Sequence, residues 1–155
     1  MAQASMITDE VKAVIGSETI GLPELIEMGT IRAYAKAIAW PDPPDPLYVD
    51  PEASKNDQAG GIIAPWTFFT TLGKNVSSPP LPLPVPISSF NGGSDYECFQ
   101  SIRPGDSITT KSKIVGISER KGRAGMLVFI ETDRTFVNQR GETVGIFHSR
   151  SIRQY

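Results

Sequence analysis

From Ser88 onward the chain consists of four long runs rich in Ile, Val, Phe and Thr: "SSFNGGSDYECFQSI", "DSITTKSKIVGISE", "GMLVFIETDRTFVNQ" and "ETVGIFHSRSIRQ". β-Branched and aromatic side chains suit a pleated, half-buried surface. The separators "RPGD", "RKGRAG" and "NQRGE" carry the glycine or proline that tight reversals need. Runs this long with joints this short predict an antiparallel meander.

The first half is patterned differently. "TIRAYAKAIAW" sets Ile31, Ala35 and Ile38 on one helical face with Tyr34 beside them, Arg32 and Lys36 on the other, and Thr30 as N-cap. Prolines 41, 43, 44 and 46 cannot continue that helix, because each lacks an amide proton and pushes its predecessor toward extended geometry. "DPEASKND" allows a short helical turn, and "IIAPWTFFTTLG" reads as a buried apolar helix with Pro65 near its first position and Gly73 as its stop. Helices first and strands afterward predict an α+β domain with a helix packed across one sheet face.

Between the halves lies "PPLPLPVPI", Pro79 to Ile87, where alternating prolines rule out ladder hydrogen bonding and predict an extended crossover laid along the surface or lining a pocket. A ligand for a polyproline-recognition domain is the other reading. With 155 residues the chain is expected to form a single domain over 1–155, with 1–26 as an N-terminal segment and 79–87 as a crossover inside the domain. A net charge of −2 argues against a nucleic-acid partner. No apolar run is of membrane-spanning length and no leader is evident, so a cytoplasmic location is expected. One cysteine, Cys98, and one histidine, His148, cannot assemble a zinc site or an internal disulfide.

The order "IRAYAKAIAW-PDPPDPLYVDPEA", "GGIIAPWTFFTTLG", "FNGGSDYECFQSIRPGDSITTKSKIVGI" and "GRAGMLVFIETDRTFVNQRGETV" resembles the MaoC-like dehydratases, in particular their amino-terminal-type, fatty-acid-synthase-like half, over about residues 27–155. The resemblance implies a hot-dog fold, a curved antiparallel sheet wrapped around a central helix and paired with a second hot-dog unit. It implies reversible addition of water to an enoyl thioester of the (R)-3-hydroxyacyl series. The substrate would be carried on coenzyme A or acyl carrier protein, with no cofactor belonging to the protein itself and no membrane partner.

Active members of that family carry an Asp-x-Asn-Pro-x-His-like loop, whose aspartate and histidine hold and activate water. Such chemistry needs a base near neutral pKa, a proton for carbon 2, and donors for the enolate-like oxygen. In this chain Asp45-Pro46-Leu47-Tyr48 stands in the matching place, so Tyr48 replaces the imidazole, and Asp42 aligns with the aspartate only if one extra residue is allowed. A phenol titrates near about 10 and is a poor base at neutral pH. Asp42 and Tyr48 are therefore the catalytic candidates as a residual acid and a substrate-orienting hydroxyl, or else turn residues that fix the loop. Asp45 and Asp50 read as loop and helix-capping groups.

Gly61, Ala64, Trp66, Asn91 and Gly92 are the substrate-binding candidates. A tight approach through Gly60 and Gly61 into a helix exposes amides with partial positive charge, a cradle for a thioester oxygen, although Pro65 removes one donor. Trp66, Phe68, Phe69 and Leu72 read mainly as core, with one aromatic available to wall an acyl tunnel. In "NGG" the glycines mark a bulge or a close backbone approach. Alternation puts His148 with Ile146 and Arg150 on one sheet face, as a structural or solvated histidine. Cys98 reads as a packed side chain. Arg120, Lys121 and Arg123 form a basic hairpin that serves solubility or meets carrier phosphates.

Three functions follow. The leading one is a hydratase/dehydratase component that shapes the substrate pocket beside a histidine-bearing hot-dog protein. The others are a self-sufficient homodimer acting as dehydratase or cyclase on an unusual polyketide-like acyl group, and a non-catalytic acyl-coenzyme A-binding protein. Thioesterase action is disfavoured because "APWTFFTTLGKN" has no acidic residue.

Overall fold

The computed structural model describes residues 5–155. Six strands form the sheet: β1 (Glu18–Ile20), β2 (Glu24–Leu25), β3 (Ser88–Cys98), β4 (Ser107–Gly122), β5 (Gly125–Val137) and β6 (Thr143–Gln154). Their order is β1-β4-β5-β6-β3, every pairing is antiparallel, and β2 pairs with β4 off this path. Strands β4 to β6 form the expected meander. β3 departs from it, leaving its neighbour in sequence to pair with β6 at the far edge. The connection from β3 to β4 runs across the sheet end, where the amides of Phe99 and Gln100 both donate to Val144 O and Ile102 is buried. β1 and β2 come from residues 1–26, expected from the sequence only as an N-terminal segment.

The long apolar runs alternate as a half-buried sheet requires. On β5, Met126, Val128, Ile130, Thr132 and Phe136 are buried on the inner face, which leaves Phe129, Glu131 and Asp133 on the outer one. Over the inner face lie α2 (Met28–Ala39) and a six-residue 3-10 helix, Trp66–Thr71, and these enclose a core of Ile31, Phe68, Phe69, Leu72, Ile108, Phe136 and Val144. Phe69 and Phe136 meet with ring centroids 5.0 Å apart. This is an α+β hot-dog arrangement.

The central segment is a shorter and tighter helix than "IIAPWTFFTTLG" predicts. Thr70 Oγ1 donates to Thr67 O and Thr71 Oγ1 to Phe68 O, each at 2.8 Å. These hydroxyls bond carbonyls three residues back and compete with the α-helical ladder. Gly73, at φ 72°, lies just past the segment as expected. In α2, Ile31 and Ala35 are buried as predicted, but Ile38 is exposed. The helix also starts three residues earlier than predicted, with Glu27 and not Thr30 at the N-cap position.

A short helix, α1 (Asp9–Ala13), precedes β1 and buries Val11. Residues 77–87 have no regular structure, and Val85 and Ile87 are largely exposed there, consistent with an extended crossover. Among the described residues no helix is long and apolar enough to cross a membrane.

Candidate active site

The proline-rich loop after α2 is held by its own carboxylates. Asp42 N donates to Ala39 O at 2.9 Å, which closes the turn. Asp45 Oδ1 accepts from Leu47 N at 2.9 Å and caps a 3-10 turn, Pro46–Tyr48. Asp50 Oδ1 accepts from Glu52 N and Ala53 N and caps α3 (Pro51–Lys55). Asp45 and Asp50 are thus the capping groups the sequence indicated. From α2, Arg32 Nε reaches Val49 O at 3.1 Å and ties the loop to the helix. Asp42 is exposed and Tyr48 half-buried, and neither side chain has a hydrogen-bond partner among the described residues.

The other candidates fall in two places. Gly61, at φ 144°, leads into Ile62, Ile63 and Ala64, which are buried. A narrow cleft between this segment and Gln100–Ile102 is walled by Ala64, Pro65, Trp66 and Phe69 and holds only about 10 Å³ of free space. Ala64 N donates to Ile102 O at 2.8 Å, so that amide is already engaged. Trp66 is 62% exposed rather than core. Tyr34 lies edge-on to Phe68 and its hydroxyl donates to Thr67 O at 2.9 Å, fixing the 3-10 helix to α2.

Asn91 and Gly92 lie on the edge strand at a register shift opposite β6. Asn91 Oδ1 accepts from Gly93 N at 2.9 Å, and a Cβ on Gly92 would come within 2.9 Å of Ile152. The glycine permits this close approach, as the sequence indicated.

His148 lies on the outer face and is tightly committed there. Nδ1 is 2.7 Å from Asp133 Oδ1 on β5, and Nε2 is 2.9 Å from Glu97 Oε1 on β3. The hydrogen bond to Asp133 raises the imidazole pKa above its usual value; partial burial opposes this and Glu97 adds to it. The cluster borders an open groove of about 330 Å³ with Gly92, Gly93, Asp95 and Arg150 on its walls. Cys98 is half-buried and burial raises its thiol pKa, which favours the protonated form.

Sequence reasoning passed over Tyr34, Tyr96 and Arg134. Cross-strand register sets Arg134, Phe147 and Tyr96 in one row on the inner face, and Tyr96 stacks on Phe147 at 4.5 Å. Only the alternation of "ETDRTF", with an arginine at an inward position, pointed to this row.

A curved antiparallel sheet closed over a short central helix defines a hot-dog protein. The model of the FAS1-like dehydratase domain region matches residues 13–147, and the chain belongs to that family. The structure of the MaoC-like dehydratase from Rhodospirillum rubrum superposes with a TM-score of 0.71 at 22% identity, covering 90% of this chain and 92% of that one. A truncated HadBC (3R-hydroxyacyl-ACP dehydratase) complex from Mycobacterium tuberculosis has a chain that superposes with a TM-score of 0.67 at 18% identity, covering 90% and 96%. These likenesses show a shared fold. In sequence, a probable enoyl-CoA hydratase alpha subunit of Thermomonospora curvata is 25% identical over 95% of this chain. The chain spans 62% and 38% of the lengths of the curated relatives it matches.

Proposed function

We propose that this chain is the pocket-forming component of an (R)-specific enoyl-thioester hydratase/3-hydroxyacyl-thioester dehydratase, working with a second hot-dog chain that brings the catalytic histidine. One observation carries the reading. The loop that would hold the acid-base pair presents Asp42 and a phenol, while the chain's one imidazole is held by Asp133 and Glu97 on the outer sheet face. Hydration requires a base to take a proton from water as its oxygen attacks carbon 3, and a proton to arrive at carbon 2. An imidazole does both near neutrality, and general acid-base groups contribute about 10²–10⁴ in rate.

Two further features support a partner. Among the described residues the edge strand Ser88–Cys98 pairs on one side only, and it carries exposed Phe90 and Tyr96. A long unpaired edge is a surface for strand addition. The cleft at Trp66 is too small to hold an acyl chain, so a usable pocket needs walls from a second unit. The likeness to a two-component 3R-hydroxyacyl-ACP dehydratase fits this arrangement.

The test is copurification from the native host with mass spectrometry of what accompanies the chain, followed by crotonyl-thioester hydration assays on the chain alone and on the complex. The expected result is activity in the complex and a loss of about 10² or more in the isolated chain. Full turnover by the isolated chain would overturn the reading.

A further inference from the structure

Arg134, like Arg153 further along the same face, is a half-buried inner-facing arginine, whereas several other arginines are engaged. Arg150 pairs with Glu131 at 2.6 Å, Arg140 with Glu142 at 2.7 Å, and Arg120 lies over the Phe129 ring at 5.7 Å. Arg134 points to the inner face. It stands between Ser112 of β4 and Phe147 of β6, and Phe147 in turn faces Tyr96 of the edge strand. It is half-buried, yet among the described residues it makes no ion pair and no side-chain hydrogen bond. Beside it, the fully buried Ser112 hydroxyl also lacks a partner.

Withdrawing a guanidinium from water is costly unless an anion meets it, and a buried polar group left unsatisfied calls for a ligand. Tyr96 is 42% exposed at the free edge. Burial and the neighbouring Tyr34 raise its phenol pKa while Arg134 lowers it, which sets the guanidinium within electrostatic reach of that edge. Tyr34 joins the row to the Trp66 segment through Thr67.

We propose that Arg134 is an anion-receiving residue of the inner sheet face, its planar fork closing on the oxygens of a carboxylate or phosphate that approaches past Tyr96. The proposal rests on the acyl-thioester reading above. The fork geometry suits either oxyanion bidentately. Two sources present that chemistry, a carboxylate at the far end of the acyl group and a phosphate of the carrier arm.

Calorimetric titration of the chain, and of its complex where one is isolated, separates them. The probes are hexanoyl-pantetheine, adipoyl-pantetheine and hexanoyl-coenzyme A, with free adipate and inorganic phosphate alongside. Affinity at least about tenfold higher for adipoyl- than for hexanoyl-pantetheine, lost in Arg134→Gln, assigns the acyl carboxylate. The same gain for hexanoyl-coenzyme A over hexanoyl-pantetheine, lost in the same variant, assigns the carrier phosphate. Arg134→Lys keeps the charge without the fork and is expected to fall between. Arg153→Gln, also on the inner face by register but two rows beyond Thr132, is expected to leave the preference intact. Equal binding of every probe by wild type and a folded Arg134→Gln overturns the proposal. So does a variant whose only change is weaker self-association, which would give Arg134 to a partner's carboxylate. If no thioester binds, the acyl reading fails by itself, and loss or retention of adipate and phosphate binding in Arg134→Gln still decides whether Arg134 receives anions.

Discussion

His148 Nδ1 lies 2.7 Å from Asp133 Oδ1, while its other nitrogen reaches Glu97 at 2.9 Å, so one imidazole bridges three strands, including the edge strand. Asp95 stands opposite His148 in register on the same face, and Arg150 is two residues along. The folded state raises the His148 pKa, so it binds the proton more tightly than the unfolded chain does. The resulting stability is fully present below the unfolded value near about 6.5 and is lost as pH rises through the higher folded value. Urea midpoints of wild type and His148→Gln should therefore differ most near pH 5.5 and converge toward pH 9. A difference that grows with pH would contradict this sign.

Much of this bridge could be read from the sequence, and the part that could not has a physical cause. Alternation in "GIFHSRSI" set His148 with Ile146 and Arg150 correctly, because period 2 is local. Glu97 and Asp133 became partners only through the β3–β6 and β5–β6 registers, and the pairing of β3 with the last strand is non-local. Likewise, Asp45 and Asp50 were legible as caps because capping acts over two or three residues. The 3-10 geometry of Trp66–Thr71 was missed, since an apolar run with three threonines does not announce that its hydroxyls will bond backward. Asp42 and Tyr48 sit in the loop the sequence proposed, with no hydrogen-bond partner for either side chain among the described residues.

Tyr48→Phe tests the loop directly. The phenol has no hydrogen-bond partner among the described residues, and under the proposed reading it stands where a catalytic loop would hold its imidazole. In an active two-component complex Tyr48→Phe should change kcat by no more than about threefold, well short of the 10²–10⁴ that a general acid-base group supplies. Replacing the partner's histidine should give the larger loss. Steady-state kinetics of the two variants side by side decide which chain holds the base.

Phe68 is 1% exposed and meets Tyr34 edge-on, with ring centroids 5.4 Å apart and planes at 87°. Phe68→Ala removes a filled core volume and an aromatic pair, and should lower stability by about 3–5 kcal/mol. Tyr34→Phe keeps the ring and loses the hydroxyl's bond to Thr67 O and its longer contact with Thr70 Oγ1, with an expected cost of about 0.5–1.5 kcal/mol. Denaturant unfolding of both variants checks the ratio. Near-equal costs would mean that the hydroxyl, and not the ring packing, holds the 3-10 helix to α2.

Gly145 tests how closely the central segment presses on the sheet. It lies on β6 facing Phe136, and a Cβ built there would come within 2.7 Å of Phe69 Cζ and 2.8 Å of Glu97 O. Neither neighbour can yield freely. Phe69 is 5% exposed and packed on Phe136, and Glu97 O belongs to the edge-strand backbone. Overpacking of this kind typically costs about 1–3 kcal/mol. Gly145→Ala should therefore destabilise the protein by that amount, and the shift of Phe69 should reach the Trp66 cleft that shares it. A paired Phe69→Leu change should recover part of the loss by making room for the methyl group. Thermal midpoints of the single and double variants measure the coupling, and additive effects would show that Phe69 does not set the contact.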